Sequence, residues 1–257
     1  DIQSGSLDVM ESVPASATKT FEKDSTVQAY NKAGSVIQQF TIPSNVKHFE
    51  AGTEEGTLRR QAVSMAINRQ NICDKVLNGT GTPAADFTSP LTPGYSDSLT
   101  GSDNLKYNEK KAKELWDKAN AISPWTADDK LTFAYNADGG HEVIYTAVVN
   151  SINNVLGDGV AATNPYPTFN DFRTAVSDRK VNGAFRSGWQ PDYPSAENYL
   201  MQNFASSAAD GNGSNDGDYK NSKFDDLCNQ AAASKTTDDA NKLYQKAQEV
   251  LLNDLPA

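Results

Sequence analysis

The densest run of chemically useful side chains in the sequence is Phe185-Arg186-Ser187-Gly188-Trp189-Gln190-Pro191-Asp192-Tyr193-Pro194. Arg186 offers a planar fork for a carboxylate, and Asp192 offers an anion for an ammonium. Trp189 and Tyr193 add flat surfaces for packing or for cation contacts. Together these groups suit a zwitterionic ligand. The same residues also fit a plainer arrangement, with Trp189 in the core, Arg186 and Asp192 paired to each other, and Pro191 and Pro194 shaping a turn.

Catalytic readings have fewer parts to work with. A hydrolase built on paired carboxylates would draw on Asp192 and Glu197, the nearest acidic candidates. His141-Glu142-Val143-Ile144-Tyr145 comes close to the HExxH zinc helix, but Tyr145 stands where the second metal-binding imidazole is required. His48 and His141 are the only 2 histidines in the chain, so triads and His-based metal sites lack components. His141 reads instead as a helix-start residue. Asp210-x-Asn212-x-Ser214 imitates the start of a calcium loop, yet Asn215 replaces the turn glycine and Asn221 the terminal bidentate Glu. Gly211 and Gly213 follow no strand and precede no Lys-Ser/Thr pair, so no nucleotide loop forms. No cofactor and no metal are expected. Cys73 and Cys228 are far apart and form no metal-spaced cluster. One long-range bridge or two buried thiols would both fit, and the apolar neighbours Ile72 and Leu227 lean towards thiols.

The elements that must position these groups follow from hydrophobic periodicity. Val36 to Ile42 reads as a strand closed by Pro43, which cannot donate to a continuing ladder. Leu58, Ala62, Met65, Ala66, Ile72, Val76 and Leu77 share one helical face, so a single helix is expected from Leu58 to Leu77, stopped at Asn78-Gly79. Pro83, Pro90, Pro93, Gly94 and Gly101 break both periods between Gly81 and Asp103, which predicts a long surface excursion. Asn108 caps a helix that turns Ala112, Leu115, Trp116 and Ala119 inward. Leu131–Asn136 reads as a strand, followed by a turn at Asp138-Gly139-Gly140 and a helix that ends at Gly157. A strand near Val160 to Thr163, a helix capped by Thr168 and a strand from Val181 to Arg186 complete a β-α-β-α-β order. That order implies adjacent parallel strands covered by helices, an α/β fold. A helix capped by Ser195, a polar loop from Ser206 to Tyr219 and two closing helices, Ser222 to about Ala233 and Thr237 onward, finish the chain. The Arg186–Asp192 run therefore lies at the carboxyl end of the last parallel strand, where open α/β sheets bind ligands.

Composition narrows the function further. The 257 residues carry 23 Lys+Arg against 33 Asp+Glu, a net charge of −10, with a pI near 4.7 and a mean hydropathy of −0.61. Nucleic-acid binding needs a basic face and is not expected. No run reaches the roughly 18 to 20 apolar residues that span a bilayer, and no leader pattern opens the chain. Area scaling leaves roughly 11,000 Å² exposed out of about 40,000 Å² unfolded, enough burial for one large or two small domains. The first residue, Asp1, and the stop at Pro256-Ala257 read as a processed or excised piece.

Several segments, in order, resemble the peptide-binding branch of the extracellular solute-binding proteins that feed ABC importers. They are Leu58-Arg59-Arg60-Gln61-Ala62 with Ala66-Ile67-Asn68-Arg69-Gln70-Asn71-Ile72, then Asn78-Gly79-Thr80-Gly81-Thr82-Pro83-Ala84, and Tyr107-Asn108 leading into Lys111-Ala112-Lys113-Glu114-Leu115. Gly188-Trp189 with Asp192-Tyr193-Pro194, Tyr219 to Phe224-Asp225, and Tyr244 through Ala247 to Leu251 complete the set. Asn68 departs from the Asp that relatives often carry before the Arg of the long helix, on a packing helix away from the ligand.

The resemblance implies a periplasmic-binding-protein-like lobe, with a mixed sheet and a parallel βαβαβ core flanked by helices. It implies the second, C-terminal lobe of a two-lobed lipoprotein, with residues 1–45 as crossover and lead-in and 46–257 as the lobe body. Ser6-Leu7-Asp8-Val9 resembles the crossover into that lobe, and Leu255-Pro256 the point of return to the first lobe. It further implies a non-enzymatic monomer outside the membrane whose partners are a short peptide, the first lobe and ABC permease subunits. Asp192 then matches the residue that holds the peptide's α-amino group, Trp189 the tryptophan beside that pocket, and Arg186 a basic position that in some relatives reaches the peptide or its carboxylate. Tyr193 would add an apolar wall. Within the same architecture, an oligosaccharide stacked on Trp189, Trp125 and Tyr193 is the nearest rival. A purely structural or adhesive domain is a more distant one.

Overall fold

The computed structural model describes residues 1–11 and 13–257. Seven helices among the described residues begin at a side chain that accepts a backbone N–H of their own first turn: Thr53, Asn68, Asn108, Thr168, Ser195, Asn221 and Thr236. Each relieves one of the orphan donors at a helix start. The elements run α1 (Ala15–Glu22), β1 (Ile37–Thr41), α2 (Glu54–Ala66), α3 (Arg69–Asn71), α4 (Glu109–Ile122), β2 (Leu131–Asn136), α5 (Glu142–Leu156), β3 (Ala161–Tyr166), α6 (Phe169–Ser177), β4 (Ala184–Trp189), α7 (Ala196–Phe204), α8 (Ser222–Ala232) and α9 (Thr237–Asp254).

The sheet order is β1-β4-β2-β3. β2 pairs parallel with both β3 and β4, whereas β1 pairs antiparallel with β4. The expected βαβαβ core with one further strand of opposite direction is therefore present. Phe133, Tyr135, Ile152, Ala62 and Trp116 sit in the core between the sheet and α2, α4 and α5. Phe172, Val176 and Phe185 fill the opposite face beneath α6. Leu200, Phe224, Tyr244 and Leu251 pack α7, α8 and α9 into a separate apolar cluster.

Three expectations are corrected. The helix foreseen from Leu58 to Leu77 breaks after Ala66, because Ile67 is extended (φ −89°, ψ 115°) and Asn68 starts a new turn by accepting the Asn71 N–H at 3.0 Å. Ser151 stabilises the break by accepting the Asn68 N–H at 3.0 Å and donating to Ala66 O at 2.8 Å. The apolar period survives the break because Ile72 returns to the same core.

The segment from Gly81 to Asp103 is no surface excursion, since Asp86, Phe87, Thr88, Ser89 and Thr92 are buried. Its irregular backbone is satisfied by side chains. Asp86 accepts from Thr88 N–H at 2.7 Å and Ser96 N–H at 3.3 Å, and Gln248 accepts the Phe87 N–H at 2.8 Å.

The last strand runs from Ala184 to Trp189, three residues later than its sequence pattern suggests. Gly183 (φ 152°) holds the approach open, because a Cβ there would lie 2.3 Å from Thr132 Oγ1. Beyond Arg186 the strand continues by pairing with β1, as far as Ile37 opposite Trp189. Both cysteines are free and buried, in line with the reading as thiols. Burial pushes the Cys228 thiol up to about 12.

Candidate functional site

Arg186 and Trp189 are three residues apart on β4, so strand alternation sends their side chains to opposite faces. Ala184, on the Arg186 face, belongs to the α5-side core, and Phe185, on the Trp189 face, to the α6-side core. Arg186 is half-buried, and its Nε is sequestered with no hydrogen-bond partner. No carboxylate among the described residues pairs with it, Asp192 included. Its charge instead bears on two α5-side groups. His141 is held below the usual imidazole range by burial and then by Arg186, with Asp138 partly offsetting. The Tyr145 phenol is driven well above its ordinary range by burial, which Arg186 partly opposes.

His141 is the residue from which α5 starts, as its sequence position implied, and it provides no side-chain cap for that helix. Asn136, at the end of β2, is buried. Its Nδ2 donates to Asp138 at 2.6 Å while its Oδ1 has no partner. Asp138 also accepts the Phe169 N–H at 3.1 Å, which ties the end of β2 to the start of α6. These bonds and the Phe169 amide hold the Asp138 carboxyl below the usual range. The region after β2 and beside β4 thus gathers Arg186, His141, the Asp138 carboxylate and the start of α5, whose first turn carries Glu142.

On the other face, Trp189 and Asp192 are bracketed by a residue that the sequence reading did not single out. Asn198 of α7 is 2% exposed. Its Oδ1 accepts from Trp189 Nε1 at 2.7 Å and from the Asp192 N–H at 3.1 Å, and its Nδ2 donates to the Asp192 carboxylate at 3.3 Å. Trp189 is half-buried and Asp192 faces solvent, with no salt-bridge partner among the described residues. Tyr193 is 44% exposed on the same turn. The plainer reading, an Arg186–Asp192 pair over a core tryptophan, therefore does not hold. The available signal for Asn198 was a polar residue on the buried face of a helix capped three residues earlier.

One rival assignment fails on position. Trp125 lies before β2 begins, packed against Trp116 at 5.0 Å and under the Arg59 guanidinium, so it is not a wall beside Trp189. The calcium-like loop is consumed by ion pairs of Asp210 with Lys220, and of Asp216 and Asp218 with Arg179. Among the described residues no cluster of three metal-ligating groups occurs, and no helix is long and apolar enough to cross a membrane.

The family model for bacterial extracellular solute-binding proteins, family 5, middle region, matches residues 1–211. The dipeptide-binding protein DppE of Bacillus subtilis is 27% identical over 259 residues, covering 99% of this chain and 44% of its own length. The periplasmic oligopeptide-binding protein OppA of Salmonella typhimurium is 32% identical over 202 residues, covering 76% of this chain and 34% of its own. The chain thus spans between a third and a half of the length of these curated relatives. Among solved structures, the DppA periplasmic binding protein of Helicobacter pylori in complex with the peptide STSA superposes with a TM-score of 0.82 at 21% identity, over 99% of this chain and 46% of that one. The murein tripeptide binding protein MppA of Escherichia coli gives 0.78 at 23% identity, over 99% and 48%. These likenesses establish the periplasmic-binding-protein-like fold of this chain. The chain belongs to the family 5 bacterial extracellular solute-binding proteins.

Proposed function

We propose that this chain is one lobe of a two-lobed solute-binding protein that captures short peptides outside the membrane and delivers them to an ABC permease. Residues 1–45 serve as crossover and lead-in, and 46–257 as the lobe body. No bond is broken. A lipoprotein anchor in the complete protein would keep it, as a monomer, at the membrane surface.

The observation that carries this reading is the Asn198 bracket, which holds an exposed Asp192 carboxylate beside the Trp189 ring. Asp192 is the ammonium anchor, and Trp189 and Tyr193 are apolar walls. Arg186, with its unpartnered Nε, receives the carboxylate on the α5 side, next to His141.

The test is calorimetric peptide binding to the complete protein carrying Asp192→Ala. If closure desolvates the Asp192–ammonium contact, affinity falls by about two to four decades. Unchanged affinity sinks the assignment. A single lobe supplies only half of a cleft, so residues 1–257 alone should bind peptide no better than micromolar.

A further inference from the structure

Asparagine is followed by glycine at three places, Asn78-Gly79, Asn182-Gly183 and Asn212-Gly213. Such a pair is chemically labile, because glycine has no side chain to keep its backbone nitrogen away from the neighbouring carboxamide. Ring closure requires that nitrogen and that carboxamide carbon to approach each other, so hydrogen bonds on either group hold the reaction back.

The fold restrains two of the three pairs. Asn78 Nδ2 donates to Ala15 O at 3.0 Å, and the Gly79 N–H, the nucleophile of that pair, donates to Cys73 O at 2.9 Å. Asn212 is tied twice to Ala209 O, by its N–H and by its Nδ2, both at 3.0 Å. Asn182 is exposed and lies outside any helix or strand. Among the described residues neither its carboxamide nor the Gly183 N–H makes a hydrogen bond, while its carbonyl accepts from Thr132 Oγ1 at 3.1 Å.

The surroundings make any change there felt in β4. Val181 is buried in the α6-side core, and Ala184 opens the strand opposite Phe133. Gly183, between them, has no slack: a Cβ there would lie 2.3 Å from Thr132 Oγ1 and 2.6 Å from Thr132 O. A main chain lengthened by one carbon at this point must move the start of β4.

We propose that Asn182 is the site at which the folded protein deamidates spontaneously, and that the isoaspartate product loosens the entry to β4. The Gly183 nitrogen bonds to Asn182 Cγ and gives its proton to solvent, the Cγ–Nδ2 bond breaks, and ammonia leaves. Water then opens the cyclic imide. Cleavage at the side-chain carbonyl gives aspartate, and cleavage at the main-chain carbonyl gives isoaspartate, with the backbone routed through Cγ. One water enters, one ammonia leaves, and a carboxylate replaces the carboxamide. The site is at the opposite end of β4 from Asp192, so it stands apart from the peptide-binding reading.

Peptide mapping tests it. Residues 1–257 are incubated at mildly alkaline pH, folded and in denaturant, then digested with trypsin and analysed by mass spectrometry. Cleavage after Lys180 and Arg186 releases residues 181–186, which contain no aspartate, so isoaspartate in that peptide comes from Asn182. In the folded protein Asn182 should convert at least about tenfold faster than Asn78 or Asn212, whereas in denaturant the three should agree within about threefold. No conversion at Asn182, or conversion no faster than at the other two, overturns the proposal. The isoaspartate form, isolated as an acidic fraction, should have a Tm several degrees below that of the unreacted protein. Asn182→Asp, which adds the charge without the extra backbone carbon, should stay within about one degree. An unshifted Tm in the isoaspartate fraction, or an equal loss in Asn182→Asp, contradicts the loosened strand.

Discussion

Asn198 has one acceptor oxygen and one amide nitrogen to share, and it spends both on the ring and the carboxylate proposed to meet the ligand. Replacing it by Ala leaves the Trp189 indole N–H without its partner and frees the Asp192 turn. Asn198→Ala should weaken peptide binding about tenfold or more, with a stability loss of about 1–3 kcal/mol by denaturant titration; unaltered affinity would make the bracket merely structural. His141 carries a pH signature. Its folded pKa is depressed, so between that value and the unfolded one near 6.5 the unfolded state binds more protons. Its contribution is therefore complete above about pH 6.5 and is lost as pH falls towards the depressed value. Denaturation at pH 7 and pH 5 should show a steeper loss for the native protein than for His141→Gln, and equal slopes would remove His141 from the account. The cysteines offer a simpler check. Both thiols are buried and raised in pKa, so a thiol reagent at pH 8 should find neither in the native protein and both after unfolding without reductant. Trp189, Asp192 and Arg186 were singled out as candidates because their chemistry is dense within one turn of sequence. Asn198 was not, since a buried amide on a helix carries little signal until its partners are in place.

At the scale of elements, caps and stops were the most readable features. Asn108, Thr168 and Ser195 each cap the helix expected of them, and Asn78 and Gly79 adopt the positive φ values foreseen for the stop, 49° and 77°. What periodicity missed were places where side-chain hydrogen bonds outweigh it. Ser151 and Asn68 open a helix whose apolar face continues unbroken, and Asp86 and Gln248 allow a proline- and glycine-rich stretch to be buried. The end of β4 was missed for another reason. The strand was expected to end at Arg186, but β1 lies so close that a Cβ at Gly188 would meet Ile37 O at 2.7 Å, so glycine is what the pairing demands. The approach to β4 at Gly183 is as restrictive. Gly183→Ala combines a disfavoured φ with a clash at Thr132, and a loss of about 2–4 kcal/mol by chemical denaturation is expected. A loss within about 0.5 kcal/mol would mean that the strand starts elsewhere.

For the whole molecule, the exposed surface is 13,456 Å², about a fifth more than mass scaling gives for a compact monomer. The segment before β1 contributes to the excess. α1 has no buried residue, and Leu7, Val9, Met10, Tyr30 and Val36 of the lead-in are all exposed. The fold class was legible from the β-α-β-α-β order alone. The proposed half-site character rests on the resemblance alone, because nothing in the periodicity of the chain records a partner. On the proposed reading, the chain binds weakly by itself and tightly only when a second surface excludes water. Native mass spectrometry of the gently purified complete protein, with residues 1–257 as control, tests this most directly. Bound masses that fragment into short peptides, present on the complete protein and absent from the lobe, are the predicted result. Carbohydrate masses on the complete protein, or peptide retained equally by the isolated lobe, would contradict it.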